Sequence, residues 1–208
     1  YIERFRGRIV FPIKNLYGST IAFGGRIFEK TNMAKYINSP ETLFYKKGNN
    51  LYNINNLKNS INSDQENVLI VEGFTDVISL TKNQITNVVA NQGTALTDSQ
   101  LNLVWRFSKN PIICFDGDKS GNDAAVRAAE KLFLHLKPEH NIYFLFLPED
   151  LDPDNFVSKF GNKKFVELTT SKITIYDFLW NYYLAQSDRN NPSSYAALEK
   201  KIKNLCSQ

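Results

Sequence analysis

From residue 68 onward, short apolar segments alternate with segments of helical periodicity, and this alternation constrains the fold more than any other feature. Thr97 and Gln100 form the capping box of one predicted helix. Strands joined by helices predict right-handed crossovers and an α/β fold whose central parallel sheet is covered by helices on both faces. Four segments have the β-branched and aromatic composition of buried strands: 68–71, 87–90, 112–115 and 142–147.

The first 58 residues predict a smaller, basic unit that contains β-strands. Residues 8–14 and 20–28 have the pattern of two strands joined by a turn at Gly18. Residues 1–47 hold nine basic and three acidic side chains, whereas the rest of the chain holds 16 basic and 18 acidic ones. A basic front before a nearly neutral body suggests a surface for a polyanion that leads to an acidic site. By itself this asymmetry would fit an ordinary solvated face equally well.

Changes in composition divide the chain into three expected units. Residues 59–67 are rich in Asn, Ser and Asp, and we expect them to link a basic segment at 1–58 to the α/β unit at 68–154. Residues 155–208 are expected to form a helical subdomain. The chain starts with structured-looking sequence and no initiator Met, so we expect a piece of a longer protein. The helical subdomain has four candidate helices: 155–160, 163–169, 174–186 and 193–205.

Composition excludes several classes of protein. No apolar run reaches the roughly 18–20 residues that a membrane span needs. Cys114 and Cys206 are too few for a disulfide framework and favour a reducing compartment. His135 and His140 have no metal-ligand spacing around them, so no zinc site is expected within this chain.

Three acidic residues follow two of the predicted strands. Glu72 comes directly after residues 68–71, Asp116 comes directly after residues 112–115, and Asp118 lies two residues later. The carboxyl ends of parallel strands share one edge, so we expect the three carboxylates to lie together there. A cation would offset their repulsion, and oxygen ligands without His or Cys favour Mg²⁺ or Mn²⁺ over zinc.

Three further acids could bind a second metal ion at the same edge. Asp76 lies one turn beyond Glu72, and Asp152 and Asp154 flank Pro153 after the fourth predicted strand. Two ions would suit phosphoryl transfer, in which they bind the attacking and leaving oxygens. Each acid also has a structural interpretation, because Asp76 could stabilise a helix N-terminus and the other two could cap the following helix.

At these acids the sequence resembles the TOPRIM domain shared by bacterial primases, topoisomerases, recombination mediators and some nucleases. The motifs are residues 71–76, VEGFTD, and residues 115–121, FDGDKSG. Flanking segments resemble the polymerase core of DnaG-type bacterial replicative primases, and the resemblance runs from about residue 3 to about residue 180. One departure is Leu151, which occupies the first place of the family's E-D-P-D motif. The flanking segments are 4–13, 23–26 and 35–42.

The resemblance implies a DNA-directed RNA polymerase that synthesises short RNA primers on single-stranded DNA for replication, by two-metal nucleotidyl transfer. It implies three catalytic metal ligands: Glu72, Asp116 and Asp118. Three more acids would bind a second ion or support the nucleotide: Asp76, Asp152 and Asp154. Four residues match the family's template and nucleotide groove: Arg26, Lys35, Tyr36 and Lys47.

The resemblance also implies partners and a cellular place. The partners are single-stranded DNA, ribonucleoside triphosphates, the RNA–DNA hybrid product and, within the primosome, the replicative helicase. The helicase would bind a C-terminal domain, and zinc would bind an N-terminal domain, both of which we expect only in a longer parent protein. The place is the bacterial cytoplasm, at the nucleoid and the replication fork. We expect low polymerase activity from this piece by itself.

Two alternatives remain open at this stage. A TOPRIM topoisomerase or nuclease would share the acids, but strand passage needs a tyrosine nucleophile from another domain, and residues 4–42 match neither class. A non-catalytic TOPRIM module would only bind nucleic acid or partners. The intact set of acids argues against that module.

Overall fold

A computed structural model describes residues 3–29, 33–61, 67–93, 95–148, 150–188 and 190–207. Most of the expected linker, residues 62–66, lies outside the described residues. The α/β prediction is confirmed, because the larger of two sheets has a parallel core flanked by helices.

The basic segment forms a three-stranded antiparallel sheet, which we call the small sheet. Its strands are β1 (Arg8–Lys14), β2 (Thr20–Ile27) and β3 (Tyr36–Asn38), and β2 lies in the centre. The sequence predicted β1 and β2 but treated residues 29–50 as irregular, so β3 is a correction. Three residues are too few to show an alternating pattern, and β3 forms because it pairs with β2.

The larger sheet has five strands in the order β5-β4-β6-β7-β8. Four of them are parallel and match the predicted segments, whereas β8 pairs antiparallel with β7 and was not predicted. A strand of two residues is too short to show an alternating pattern, so the sequence did not predict β8. The strands are β4 (Leu69–Val71), β5 (Val88–Ala90), β6 (Ile112–Phe115), β7 (Tyr143–Phe146) and β8 (Ile173–Thr174).

Helices cover both faces of the larger sheet. Ile70 and Ile113 face one apolar cluster, and Leu69 and Cys114 face the other, as expected for strands buried on both sides. The predicted helices 155–160 and 163–169 are two halves of α5, which is interrupted at Gly161 because its φ of 79° is not helical. No helix in the described part of the chain is long and apolar enough to cross a membrane. The helices are α1 (Ile54–Ser60), α2 (Phe74–Lys82), α3 (Asp98–Val104), α4 (Lys119–Phe133), α5 (Pro153–Leu168), α6 (Ile175–Ala185) and α7 (Pro192–Cys206).

Phe74 joins the two sheets. It is the first residue of α2, and its ring stacks on Phe11 of the small sheet with ring centroids 5.2 Å apart. The edge of Tyr52 meets the same ring at 4.8 Å. A Cβ atom at Gly24 of β2 would lie 2.3 Å from the Phe74 ring, so glycine is needed there for the close approach. This joint fixes the small sheet over the start of α2.

We predict that Gly24→Ala lowers the free energy of unfolding by about 1–3 kcal/mol, because the added methyl group overpacks the joint. Phe74→Leu in the same chain should recover part of the loss, giving a coupling energy of at least about 0.5 kcal/mol. Urea unfolding of the two single variants and the double variant measures this coupling. Strictly additive effects would contradict the proposed contact.

Candidate functional site

The carboxyl ends of β4, β6 and β7 carry the predicted acids to one edge of the larger sheet. β4 and β6 are parallel neighbours, so Glu72 and Asp116, which directly follow them, lie side by side. The turn after β6 packs tightly on the loop after β7, because a Cβ atom at Gly117 would lie 1.8 Å from the Pro148 carbonyl oxygen. The Gly117 N–H also donates to the Leu151 carbonyl at 3.0 Å. We call this edge the acidic rim.

Asp116 shows how strongly the acids of the rim affect one another. Burial raises its pKa to about 7, and repulsion from neighbouring carboxylates contributes to the shift. This rise means that the negative charge lacks compensation from the protein. The repelling carboxylates belong to Glu72, Asp76, Asp152 and Asp118.

Burial and nearby carboxylates also raise the pKa values of Asp76 and Glu72. Burial raises the pKa of Asp76 to about 6, although a hydrogen bond from the Gly73 N–H opposes the rise. The charges of Asp152, Asp154 and Glu72 add to the increase. Burial, and then repulsion by Asp118, raises the pKa of Glu72. The structure therefore brings each of the six predicted acids within electrostatic reach of at least one other.

Three of the six acids also cap helices, so their structural interpretation holds as well. The Asp76 carboxylate accepts from the Gly73 N–H at 2.9 Å. Asp118 accepts from the Gly121 N–H at 2.7 Å, a cap that the sequence analysis did not predict. Asp152 accepts from the Asn155 N–H at 2.7 Å. In contrast, Glu72 and Asp116 cap no helix, so their placement on the rim has no local structural reason.

The acidic rim has suitable ligands for a divalent cation, but its carboxylates are not yet close enough together to coordinate one. Within the described ranges, none of the six acids forms an ion pair with a basic side chain. No three His, Cys, Asp or Glu side chains of the described residues are spaced to hold one metal ion as they stand. Oxygen-only ligands and raised carboxylate pKa values fit Mg²⁺ or Mn²⁺, toward which the side chains would have to converge.

A cavity of about 620 Å³ lies between the small sheet and the acidic rim. Four of the predicted acids line it: Glu72, Asp76, Asp116 and Asp152. Three basic residues also line it, and we call them the basic wall: Arg4, Lys35 and Lys47. Asp118, Asp154 and Arg26 are not among the lining residues. The cavity thus combines a surface for phosphates with a surface for cations.

Tyr36 organises one part of the basic wall. Lys35 and Arg26 each place their charge 5.7 Å from the centre of the Tyr36 ring. The Tyr36 hydroxyl lies 3.3 Å from that of Thr75 in α2, which links the wall to the rim. Arg26 thus contacts Tyr36, which lines the cavity, but does not line the cavity itself.

Lys47 is positioned by the capping-box residues of α3. Its carbonyl accepts from the Gln100 side chain at 3.1 Å, and the Gly48 carbonyl accepts from the Thr97 hydroxyl. Burial lowers the pKa of the Lys47 ammonium. The capping box that the sequence predicted thus holds a cationic residue at the cavity as well as starting a helix.

Sequence reasoning missed several lining residues. Arg4 was counted only as part of the basic front, yet its guanidinium donates to the Asn38 carbonyl at 2.9 Å and lines the cavity. Thr75 and Gln92 were missed because only charged residues were sought at the strand ends. Gln92 follows β5 at the same edge as the acids, so its position was detectable from the sequence.

The fold and the acidic rim define a TOPRIM-type α/β unit, and residues 69–157 match the family described as Toprim-like. Residues 1–58 match the family described as "DNA primase catalytic core, N-terminal domain". The chain belongs to the bacterial DnaG-type DNA primases and corresponds to part of their catalytic core.

Full-length relatives agree with this placement. The chain is 36% identical over 201 residues to the DNA primase of Legionella pneumophila, a match that covers 97% of this chain and 35% of the relative. It is 36% identical over 206 residues to the DNA primase of Escherichia coli K12, covering 99% of this chain and 35% of the relative. The chain therefore spans about a third of the length of these curated relatives.

Solved structures give the same result. A structure of the DnaG catalytic core superimposes with a TM-score of 0.92 at 36% identity, covering 99% of this chain and 66% of that one. A DNA primase domain from Pseudomonas aeruginosa gives 0.91 at 35% identity, covering 98% and 63%. The resemblance stated from the motifs and the fold class are both confirmed. The roles of the individual site residues remain predictions.

We predict that Asp116→Asn raises the free energy of unfolding at pH 7.5 without divalent cation. The folded state holds the Asp116 proton more tightly than the unfolded state, so stability falls as pH rises from about 4 to about 7. Asparagine carries no charge, and we expect a gain of roughly 1–2 kcal/mol after allowance for solvent screening.

Urea unfolding at pH 5 and pH 7.5, with and without Mg²⁺, tests this. Asp123→Asn removes an exposed carboxylate of α4 and should change stability little at either pH. Mg²⁺ should stabilise the unsubstituted chain more than Asp116→Asn. A variant less stable than the unsubstituted chain at pH 7.5 would show that Asp116 is not under repulsion.

Proposed function

We propose that the chain is the metal-binding part of a DNA-directed RNA polymerase, a nucleotidyltransferase that makes short RNA primers on single-stranded DNA. The observation that carries this proposal is one cavity lined by both the acidic rim and the basic wall. Membership of the DnaG family supports it, and a DnaG primase catalytic domain bound to ssDNA superimposes with a TM-score of 0.91 at 36% identity. The match of residues 1–58 to the primase core favours this activity over a topoisomerase or nuclease.

In this proposal the acidic rim binds Mg²⁺ or Mn²⁺. Glu72, Asp116 and Asp118 would hold the catalytic ion, and Asp76, Asp152 and Asp154 would support a second ion or the nucleotide. When bound, the ions lower the pKa of the attacking 3′-hydroxyl and neutralise charge on the phosphates. The protein brings the carboxylates to one edge, with Gly117 allowing the turn after β6 to pack against the loop after β7.

The basic wall would bind the phosphates of the template and of the incoming triphosphate. Lys35 and Lys47 line the same cavity as the acidic rim, so a phosphate bound there could meet both the ammonium groups and the cations held by the rim. Arg26 would strengthen this wall by its position over Tyr36. Binding by such contacts weakens as salt rises, because neutralised phosphates release counterions.

The remaining assignments follow from the same proposal. The chain would divide into a basic subdomain at 1–58, a linker at 59–67, a TOPRIM unit at 68–154 and a helical subdomain at 155–208. An Aquifex aeolicus primase structure contains zinc-binding and RNA polymerase domains, and the chain covers 44% of it, so zinc would belong to a separate domain. Replicative helicase, like zinc, would bind outside this chain. The enzyme would release an RNA–DNA hybrid at replication forks in the bacterial cytoplasm.

A chimera tests the activity, because the chain spans only part of the solved catalytic cores. The chain would replace the matching 206-residue segment of the Escherichia coli primase. We expect the chimera to synthesise RNA primers on single-stranded DNA from four ribonucleotides. Asp116→Ala or Glu72→Ala should lower the yield at least about 100-fold, because each would remove a metal ligand.

The matched control is Asp123→Ala, which removes an exposed acid of α4 and should keep the yield near that of the chimera. Circular dichroism establishes that each variant is folded. A folded chimera that incorporates no ribonucleotide would contradict the proposed function. Near-normal primer yield from Asp116→Ala would contradict the assignment of the acidic rim.

A further inference from the structure

Gln92 occupies a position in the cavity that the mechanism above does not use. It lies in the loop after β5, at the same edge as the acidic rim, and it lines the cavity. The N–H of the next residue, Gly93, donates to the Glu72 carbonyl at 3.1 Å. This bond places Gln92 beside the first acid of the rim.

The Gln92 side chain is buried and only half satisfied. The residue is 5% exposed, and its Oε1 accepts a hydrogen bond from the buried Tyr45 hydroxyl at 3.0 Å. Its Nε2 is enclosed by protein atoms and has no hydrogen-bond partner within the described residues, so the amide must turn before a ligand in the cavity can meet it. Leaving a buried amide donor without a partner is unfavourable, and such groups call for an explanation.

The backbone of Gln92 adds a second unfavourable feature. Its φ of 66° lies in the left-handed region, which a glutamine seldom adopts. Strained residues persist only where surrounding structure holds them, and they are concentrated at ligand sites. A strained backbone and an unpaired donor at one residue of a cavity wall point together to a bound ligand.

The chemistry of the cavity indicates which part of a ligand Gln92 would meet. Phosphates are matched by the cations of the basic wall, whereas the Gln92 amide is neutral and donates from Nε2. Its place beside Glu72 is at the acidic rim, where the incoming nucleotide would react. We propose that Gln92 binds the incoming ribonucleoside triphosphate by turning its amide toward the cavity and donating from Nε2 to a neutral acceptor on its sugar or base. This inference rests on the proposed function and adds a nucleoside-binding residue to it.

A purely structural role for Gln92 makes a different prediction. In that role the amide only anchors Tyr45, and Tyr45→Phe would remove the same hydrogen bond. Tyr45→Phe and a Gln92 substitution would then have equal effects on ligand binding. If Gln92 binds the nucleoside, only its own substitution weakens nucleotide binding.

The experiment titrates the whole chain with Mg²⁺ and four ligands: ATP, CTP, 2′-deoxy-ATP and inorganic tripolyphosphate. Gln92→Met keeps a similar side-chain volume and removes the donor. We expect it to weaken ATP binding about 3- to 10-fold, the effect of losing one neutral hydrogen bond. Tripolyphosphate binding should not change, because the basic wall binds it. Tyr45→Phe should retain ATP affinity to within about 2-fold.

The nucleotide series identifies the acceptor. A loss that disappears with 2′-deoxy-ATP assigns the sugar hydroxyl, and a loss that differs between ATP and CTP assigns the base. Should Gln92→Met fail to fold, the double variant Tyr45→Phe/Gln92→Leu replaces it, since it leaves no buried partner unpaired. The double variant should show the same selective loss.

Three results would overturn the inference. The first is that folded Gln92→Met binds ATP as tightly as the unsubstituted chain does. This result would leave the proposed function intact. The second is an equal loss for ATP and tripolyphosphate, which indicates a general effect on the cavity. The third is an unsubstituted chain that binds none of the four ligands, and this result alone also removes the proposed function.

Discussion

Repulsion among carboxylates gathered at one edge of a parallel sheet is the constraint on which the rest of the site depends. The order of the strands causes this repulsion, because β4 and β6 are neighbours and place Glu72 and Asp116 side by side. No basic side chain among the described residues pairs with these acids, and the pKa of Asp116 is raised accordingly. Repulsion among the carboxylates thus lowers the stability of the folded state, and a bound cation would restore it. Such a loss of stability is common at functional sites.

The small sheet converts the acidic rim into a cavity. Phe74 packs against Phe11, and Gly24 lets the two units approach closely. Lys35, directly before β3, and Lys47, whose loop is held by α3, line the same cavity as the carboxylates. Within the described residues these opposite charges form no ion pairs, which leaves both available to a ligand that carries phosphates and cations.

Several residues combine a structural role with a place in the site. Asp118 and Asp152 cap helices while facing the other acids, and Thr97 starts α3 while holding the loop of Lys47. Such residues explain why motif positions allow both a structural and a functional interpretation. Glu72 and Asp116 have no capping role, and they are the pair that adjacent strands bring together.

The sequence by itself determined the alternating elements, the four parallel strands and the six acids, because periodicity and strand-end positions are local signals. It could not give β3 or β8, whose few residues become strands only by pairing. Nor could it show that Arg4 shares a cavity with Glu72, because residues distant in sequence meet only when the sheets pack. The tertiary structure alone decided which charged residues line one cavity.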